Sequence, residues 1–148
     1  MSDAPCSIAR TLEVIGDRWS ILILRSVFRG VRRFDAIQTD CGVARNILSD
    51  RLRKLVDDGV LTRTPYGERP VRYEYRLTPR GVDLSPALVA LMRWGDRWCN
   101  DEDHAPPVEL VHDACGHLVD QAFICWSCDK TVTPLEIRSK SQLAATTP

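Results

Sequence analysis

The stretch Arg45-Asn46-Ile47-Leu48-Ser49-Asp50-Arg51-Leu52-Arg53-Lys54-Leu55-Val56-Asp57-Asp58-Gly59-Val60-Leu61 decides the fold. Leu48, Leu52 and Leu55 recur at the spacing that gathers side chains on one side of an α-helix. At about 100° per residue, Asn46, Ser49, Asp50 and Arg53 fall on the other side. A helix is predicted from about Val43 to Asp57, closed by Gly59. One side suits a core; the other suits water or a partner with hydrogen-bonding edges.

Upstream, Ile8, Leu12, Ile15 and Trp19 follow helical spacing, and Gly16-Asp17 marks a stop and the N-cap of a second helix from Trp19 to Phe28. After Gly30, a short third helix covers Arg33 to Gln38, and Cys41-Gly42 leads into the quoted stretch. Downstream, residues 60–64 and 71–77 alternate and are rich in branched and aromatic side chains, separated by the turn-like Tyr66-Gly67-Glu68-Arg69-Pro70. That pattern predicts a β-hairpin. A last helix follows Thr78-Pro79, with Leu84, Leu88, Leu91, Gly95 and Trp98 as a heptad-type seam. Helices, a recognition-type helix and a hairpin, in this order, make a winged helix-turn-helix. The expected class is mainly α with a small β-hairpin wing (α+β), and the second helix of the turn enters the DNA major groove.

The polar side of that helix has the right chemistry for the task. Asn and Arg can each make paired hydrogen bonds to adenine and guanine edges, Ser can contact either, and Asp50 can orient a neighbouring arginine or accept from cytosine. Arg45 and Lys54 lie nearer the sides, where phosphates would be reached. Arg69 and Arg72 flank the hairpin tip, within reach of backbone or minor groove. A charged helix face often meets only solvent, but the hairpin and the charge distribution favour DNA.

The 148 residues carry 20 Lys+Arg and 20 Asp+Glu, a balance that speaks against a nucleic-acid binder. The zero is a cancellation. Residues 1–100 hold 17 basic and 12 acidic side chains, net +5, and residues 101–148 hold 3 and 8, net −5. The acidic, proline-bearing run from Asn100 to Pro107 reads as a linker. The expected organisation is a DNA-binding and dimerisation domain over 1–100, a linker over 101–111 and a small module over 112–148, with a frayed end from Ala144. The length excludes an enzyme of several domains, and 44% hydrophobic residues suit a globular protein. No run approaches the roughly 20 apolar residues of a membrane span, and the first residues are unlike a secretory signal, so the expected location is the cytoplasm. In that compartment six cysteines point to metal or redox chemistry rather than disulfides.

The first hundred residues resemble the HxlR-type transcriptional regulators, relatives of the MarR-like winged-helix group. The matching residues are Cys6-Ser7-Ile8, Ile15-Gly16-Asp17-Arg18-Trp19, Arg33-Phe34, Leu48 to Leu55, Asp58-Gly59-Val60-Leu61 and Arg69 to Gly81. The resemblance implies a homodimer, built on the first and last helices, that binds a roughly palindromic operator as a repressor. Double-stranded DNA would be the partner, RNA polymerase would be affected only indirectly, and no membrane is involved. The DNA-binding candidates are Arg33, Arg45, Asn46, Ser49, Arg53, Lys54, Arg69 and Arg72. The resemblance also implies redox sensing at Cys6, since members respond to quinones, hypochlorite or other electrophiles through a cysteine at this place. A thiol at a helix N-terminus has more reactive thiolate, although Ser7 stands where a proline is usual, and a buried, inert cysteine is the competing reading. Cys41 and Cys99 read as structural.

The last module carries a second pattern: His112-x2-Cys115-Gly116 and Cys125-x2-Cys128. A two-residue gap lets both ligands of a pair wrap one ion, and glycine supplies the backbone angle the turn needs. This resembles a zinc ribbon with His112 in place of the first cysteine and Asp129 where a second glycine is common. Zn2+ is the expected structural cofactor, on His112, Cys115, Cys125 and Cys128, with His117 a rival fourth ligand. Residues 117–119 and 122–124 would form a hairpin about Asp120-Gln121. So small a module cannot bury enough apolar area by itself, so a metal staple is physically useful. Free thiols or a Cys125/Cys128 redox pair remain alternatives. A thioredoxin-type oxidoreductase fails on length, because 20 residues follow Cys128, too few for the parallel sheet around that motif. With no phosphate loop, nucleophile elbow or pair of catalytic carboxylates, no enzymatic activity is expected. A winged helix serving only protein interaction is the remaining alternative, and the basic recognition face argues against it.

Overall fold

The computed structural model describes residues 6–99 and 105–139. Helix α1 (Ser7–Ile15) stops at Gly16, whose N–H donates to the Leu12 carbonyl at 2.7 Å. Asp17 then caps α2 (Arg18–Phe28), accepting from the Trp19 and Ser20 N–H groups at 3.0 Å each, donors that a first turn otherwise leaves unpaired. Helix α3 (Phe34–Cys41) runs past the expected Gln38 to Gly42, whose φ of +62° turns the chain toward α4 (Arg45–Asp57).

The apolar side of the deciding stretch faces inward as its spacing requires. Leu48, Leu52 and Leu55 meet Ile23, Leu24 and Val27 of α2, Ile37 of α3, and Val43, Val60, Leu61 and Tyr75 in one core. Ser20 and Ser26 are buried there too. Neither is stranded: the Ser20 hydroxyl donates to Asp17, and that of Ser26 lies between the Asp40 carboxylate and the Leu22 carbonyl.

Strand β1 (Leu61–Tyr66) pairs antiparallel with β2 (Arg72–Leu77), in register from Leu61↔Leu77 to Tyr66↔Arg72. The first strand therefore outruns the expected residues 60–64. Pro65 does not stop it, because a two-stranded wing leaves an edge where a missing N–H is harmless. The Arg32–Arg33 segment lies on the free side of β2, with an Arg33↔Glu74 bridge and a Tyr75 N–H donated to the Arg32 carbonyl at 2.8 Å.

One continuous helix was expected after Thr78-Pro79, but a short turn, α5 (Pro79–Val82), precedes α6 (Ser85–Trp98). The Thr78 hydroxyl caps Gly81 and contacts the Gly59 carbonyl at 2.6 Å, which fixes this turn to the start of the wing. Leu84 and Leu88 pack against the core. Farther along, the seam is exposed at Leu91 and Trp98, and Trp94 joins it.

The chain divides into compact units of residues 1–94 and 95–148, a division inside α6 rather than near Asn100. Beyond α6, the second unit has two small hairpins. In one, Val111 bridges Leu118; in the other, β3 (Phe123–Cys125) pairs with β4 (Lys130–Val132). The expected hairpin about Asp120-Gln121 is thus corrected: each hairpin closes around one ligand pair, because the tight turns lie at residues 112–116 and 125–129. Among the described residues beyond α6 none is buried, and Leu110, Cys125 and Val132 are the half-buried ones. No helix among the described residues is long and apolar enough to cross a membrane.

Candidate nucleic-acid interface

Helix α4 presents Arg45, Asn46, Asp50, Arg53 and Asp57 as exposed residues along its outer side, with Ser49 half-buried beside them. Arg45 opens the helix, its guanidinium 4.8 Å from the centre of the Phe34 ring and 3.4 Å from an Asp35 carboxylate oxygen. Asp50 stands 3.4 Å from Arg53. Both pairs are solvent-exposed and individually weak, so neither arginine is locked away from phosphate or base. Asn46 has no such partner among the described residues. Lys54 differs: its ammonium contacts Asp58 at 2.6 Å, turned along the helix toward its C-terminal end.

In the wing, Arg69 and Arg72 are exposed and form no ion pair among the described residues. Arg33 is engaged with the wing itself, 3.5 Å from Glu74 and 4.7 Å over the Tyr66 ring. As the residue that precedes α3, it braces the helix-turn-helix against the hairpin. One basic residue went unnoticed in the sequence. Arg63 of β1 lies 4.2 Å over the Tyr73 ring and, with Ser49, Arg53 and Tyr75, lines a groove of about 260 Å3 between α4 and the wing. Strand alternation was the available signal, since Arg63 stands opposite Tyr75.

Two carboxylates hold this scaffold together. Burial pushes the Asp17 carboxyl up, but the Ser20 hydroxyl and N–H, the Arg51 guanidinium and the Trp19 N–H outweigh it and leave it below the usual carboxylate range. Asp40 is held low chiefly by the Ser26 hydroxyl, against some desolvation, with Arg25 and Arg29 adding to the effect.

The remaining predicted site residues lie elsewhere. Cys6 is the N-cap residue of α1, exposed, with no capping bond from its side chain. His112 and Cys115 come together, Nδ1 to Sγ 3.3 Å. The Cys125 thiol is lowered by the Cys128 N–H and thiol and by the Ser127 N–H. His117 takes part through its backbone carbonyl, which accepts from the His112 N–H at 2.8 Å. Among the described residues no three His, Cys, Asp or Glu side chains stand close enough to form a ready coordination shell; the structure brings the four predicted ligands together as two pairs. Cys41 is half-buried beside Ser26, at 3.2 Å, and Cys99 is exposed. His104 lies outside the described residues.

The HxlR-like helix-turn-helix family matches residues 14–103, from the end of α1 through the wing and α6. The chain belongs to that family. An uncharacterised HTH-type transcriptional regulator of Mycobacterium tuberculosis is 46% identical over 127 residues, covering 86% of this chain and 80% of its own. The crystal structure of PA1607 superposes with a TM-score of 0.82 at 37% identity, over 93% of this chain and 96% of that one. The redox regulator HypR in its reduced form gives a TM-score of 0.58 at 29% identity, over 62% of this chain and 92% of its own. This HxlR-like protein is a DNA-binding transcriptional regulator with a winged helix-turn-helix fold.

Proposed function

We propose that the protein is a homodimeric repressor on a near-palindromic operator, with α4 in the major groove and the wing on the flanking backbone or minor groove. The observation that carries the DNA side is the outer edge of α4, where Arg45, Asn46, Ser49 and Arg53 stand over an apolar inner side. Asn46 and Arg53 read base edges; Arg33, Arg45, Lys54, Arg69 and Arg72 meet phosphate. The dimer is supported by apolar side chains left in water on two helices. Ile8 and Leu12 of α1 are 71% and 56% exposed, and Leu91, Trp94 and Trp98 of α6 are 55%, 61% and 68% exposed. Apolar exposure of this kind marks an interaction surface. The protein acts in the cytoplasm, affects RNA polymerase only by occupying the operator, and catalyses nothing.

The test is to recover bound DNA from cells, define the operator, and measure binding by fluorescence anisotropy over a salt series. A steep loss of affinity with salt, together with preference for one sequence, is expected. Equal, weak binding to all duplexes overturns the reading in favour of a protein-interaction module.

Cys6 is the proposed sensor. Its exposure and its place at the N-terminus of α1, a helix of the proposed dimer surface, put an oxidisable thiol where modification alters subunit packing; the similarity to HypR is in keeping with this. Hypochlorite or a quinone should lower operator affinity in the wild type and leave Cys6→Ser unaffected. Equal loss in both removes Cys6 from the mechanism.

A further inference from the structure

We propose that the second unit is a zinc site whose ligands are Nδ1 of His112 and the thiolates of Cys115, Cys125 and Cys128. The argument starts from a repetition in the backbone. In the first turn the Cys115 N–H donates to the His112 carbonyl at 3.2 Å; in the second the Cys128 N–H donates to the Cys125 carbonyl, also at 3.2 Å. The residue after each second ligand is left-handed, Gly116 at φ +70° and Asp129 at φ +52°. The residue after that pairs back with the first ligand, His117 with His112 and Lys130 with Cys125. The same turn is therefore built twice, from different sequences, each time with metal-ligating side chains at its first and fourth positions.

The second copy makes the point more strongly. Asp129 is the non-glycine residue of positive φ among the described residues, a conformation that L-residues adopt at a cost. A loop free to choose its shape would avoid it. A turn required to present Cys125 and Cys128 on one side would not, because the left-handed residue reverses the chain directly after the second sulfur.

The need for a ligand follows from burial. The described residues beyond α6 bury nothing fully, and Leu118, Phe123, Trp126 and Leu135 are 69%, 57%, 85% and 98% exposed. Two hairpins of this size do not hold their shape on apolar contacts alone. A single ion between the turns supplies the missing cross-link, drawing the two ligand pairs into one tetrahedral shell of one nitrogen and three sulfurs. Such a closed shell has no open position for substrate, so the role is structural. The nitrogen comes from His112, which already lies against Cys115, rather than from His117, which contributes its carbonyl to the turn. Binding releases three thiol protons to solvent and leaves a complex of net charge −1, so affinity falls as pH falls.

The full chain, purified under reducing conditions without chelator, should contain about one zinc per chain by elemental analysis. Cobalt(II) added to the metal-free chain should give the visible absorption of a tetrahedral thiolate-rich site; His112→Ala should change that spectrum and His117→Ala should not. Mutations are not required for the decisive measurement. In the wild type, zinc should shield Cys115, Cys125 and Cys128 from iodoacetamide while Cys6 and Cys99 react, and a strong chelator should abolish the difference. Zinc below about half an equivalent with no cobalt(II) spectrum overturns the proposal, as does alkylation of all three thiols at the same rate with and without metal. A Cys125–Cys128 disulfide in freshly isolated protein overturns it in favour of a redox pair. None of these outcomes depends on DNA binding.

Discussion

The Asp17 carboxylate stands 3.4 Å from Nε of Arg51 while it caps the first turn of α2. One side chain thus starts α2 and stands beside Arg51 of α4. Helix α4 itself has no side-chain cap, since Ala44 precedes it, and its leucines in the core hold it in place.

Asp17→Ala removes both the cap and the contact with Arg51 and should cost about 1–2 kcal/mol, read as a lower urea midpoint. Asp17→Asn keeps the cap, which Asn also provides, and loses only the charge, so its cost should be smaller. The pH dependence separates them further. Asp17 and Asp40 titrate below their usual values in the folded chain. Their stabilisation is fully present above the unfolded value of about 3.9 and is lost as pH falls through the depressed folded values. The wild type should therefore lose stability progressively below about pH 4, and the double variant Asp17→Asn, Asp40→Asn should start less stable and decline less. An identical acid limb in both proteins would exclude these carboxylates as its cause.

Arginines of the helix and of the wing should fail differently. Asn46→Ala and Arg53→Ala should each cost about 1–3 kcal/mol on the operator and relax the preference at one base position. Arg69→Ala and Arg72→Ala should weaken all duplexes alike and reduce the slope of log affinity against log salt by about 1 each. Circular dichroism should show all four variants folded, as these side chains are exposed or nearly so. Unchanged operator affinity in both helix variants would remove α4 as the reading element.

Gly81 is buried against the Val60 carbonyl, where a Cβ would collide with that oxygen and press on Leu77. Gly81→Ala should destabilise the winged unit by about 1–3 kcal/mol through overpacking, measured by thermal unfolding. Gly95, with open space about its Cα, is the control: Gly95→Ala should be neutral or slightly stabilising in its helix.

Trp94→Glu and Leu12→Glu place a charge on the exposed apolar sides of α6 and α1. Both should convert a dimer to a monomer in sedimentation experiments and weaken operator binding by about tenfold or more, as two half-sites can then no longer be engaged together. A dimer that persists in both variants would move the interface elsewhere.

The sequence by itself determined the helix-turn-helix and its wing, because these rest on local signals. Leucine spacing sets the buried side of α4, Asp17 caps its helix within three residues, and alternation defines β1 and β2. The two pairs His112/Cys115 and Cys125/Cys128, proposed above to hold zinc, stand out in the sequence for the same reason, as short-range patterns. Tertiary structure decided what depends on distant partners. It tied Arg33 to Glu74 across 41 positions of sequence and brought Arg63 into the groove beside α4. It also moved the C-terminal hairpins off Asp120-Gln121, since backbone pairing follows the two tight turns and not the polarity of the residues between them. Spacing along a chain fixes which side of an element a residue occupies; only packing fixes which charge it meets there.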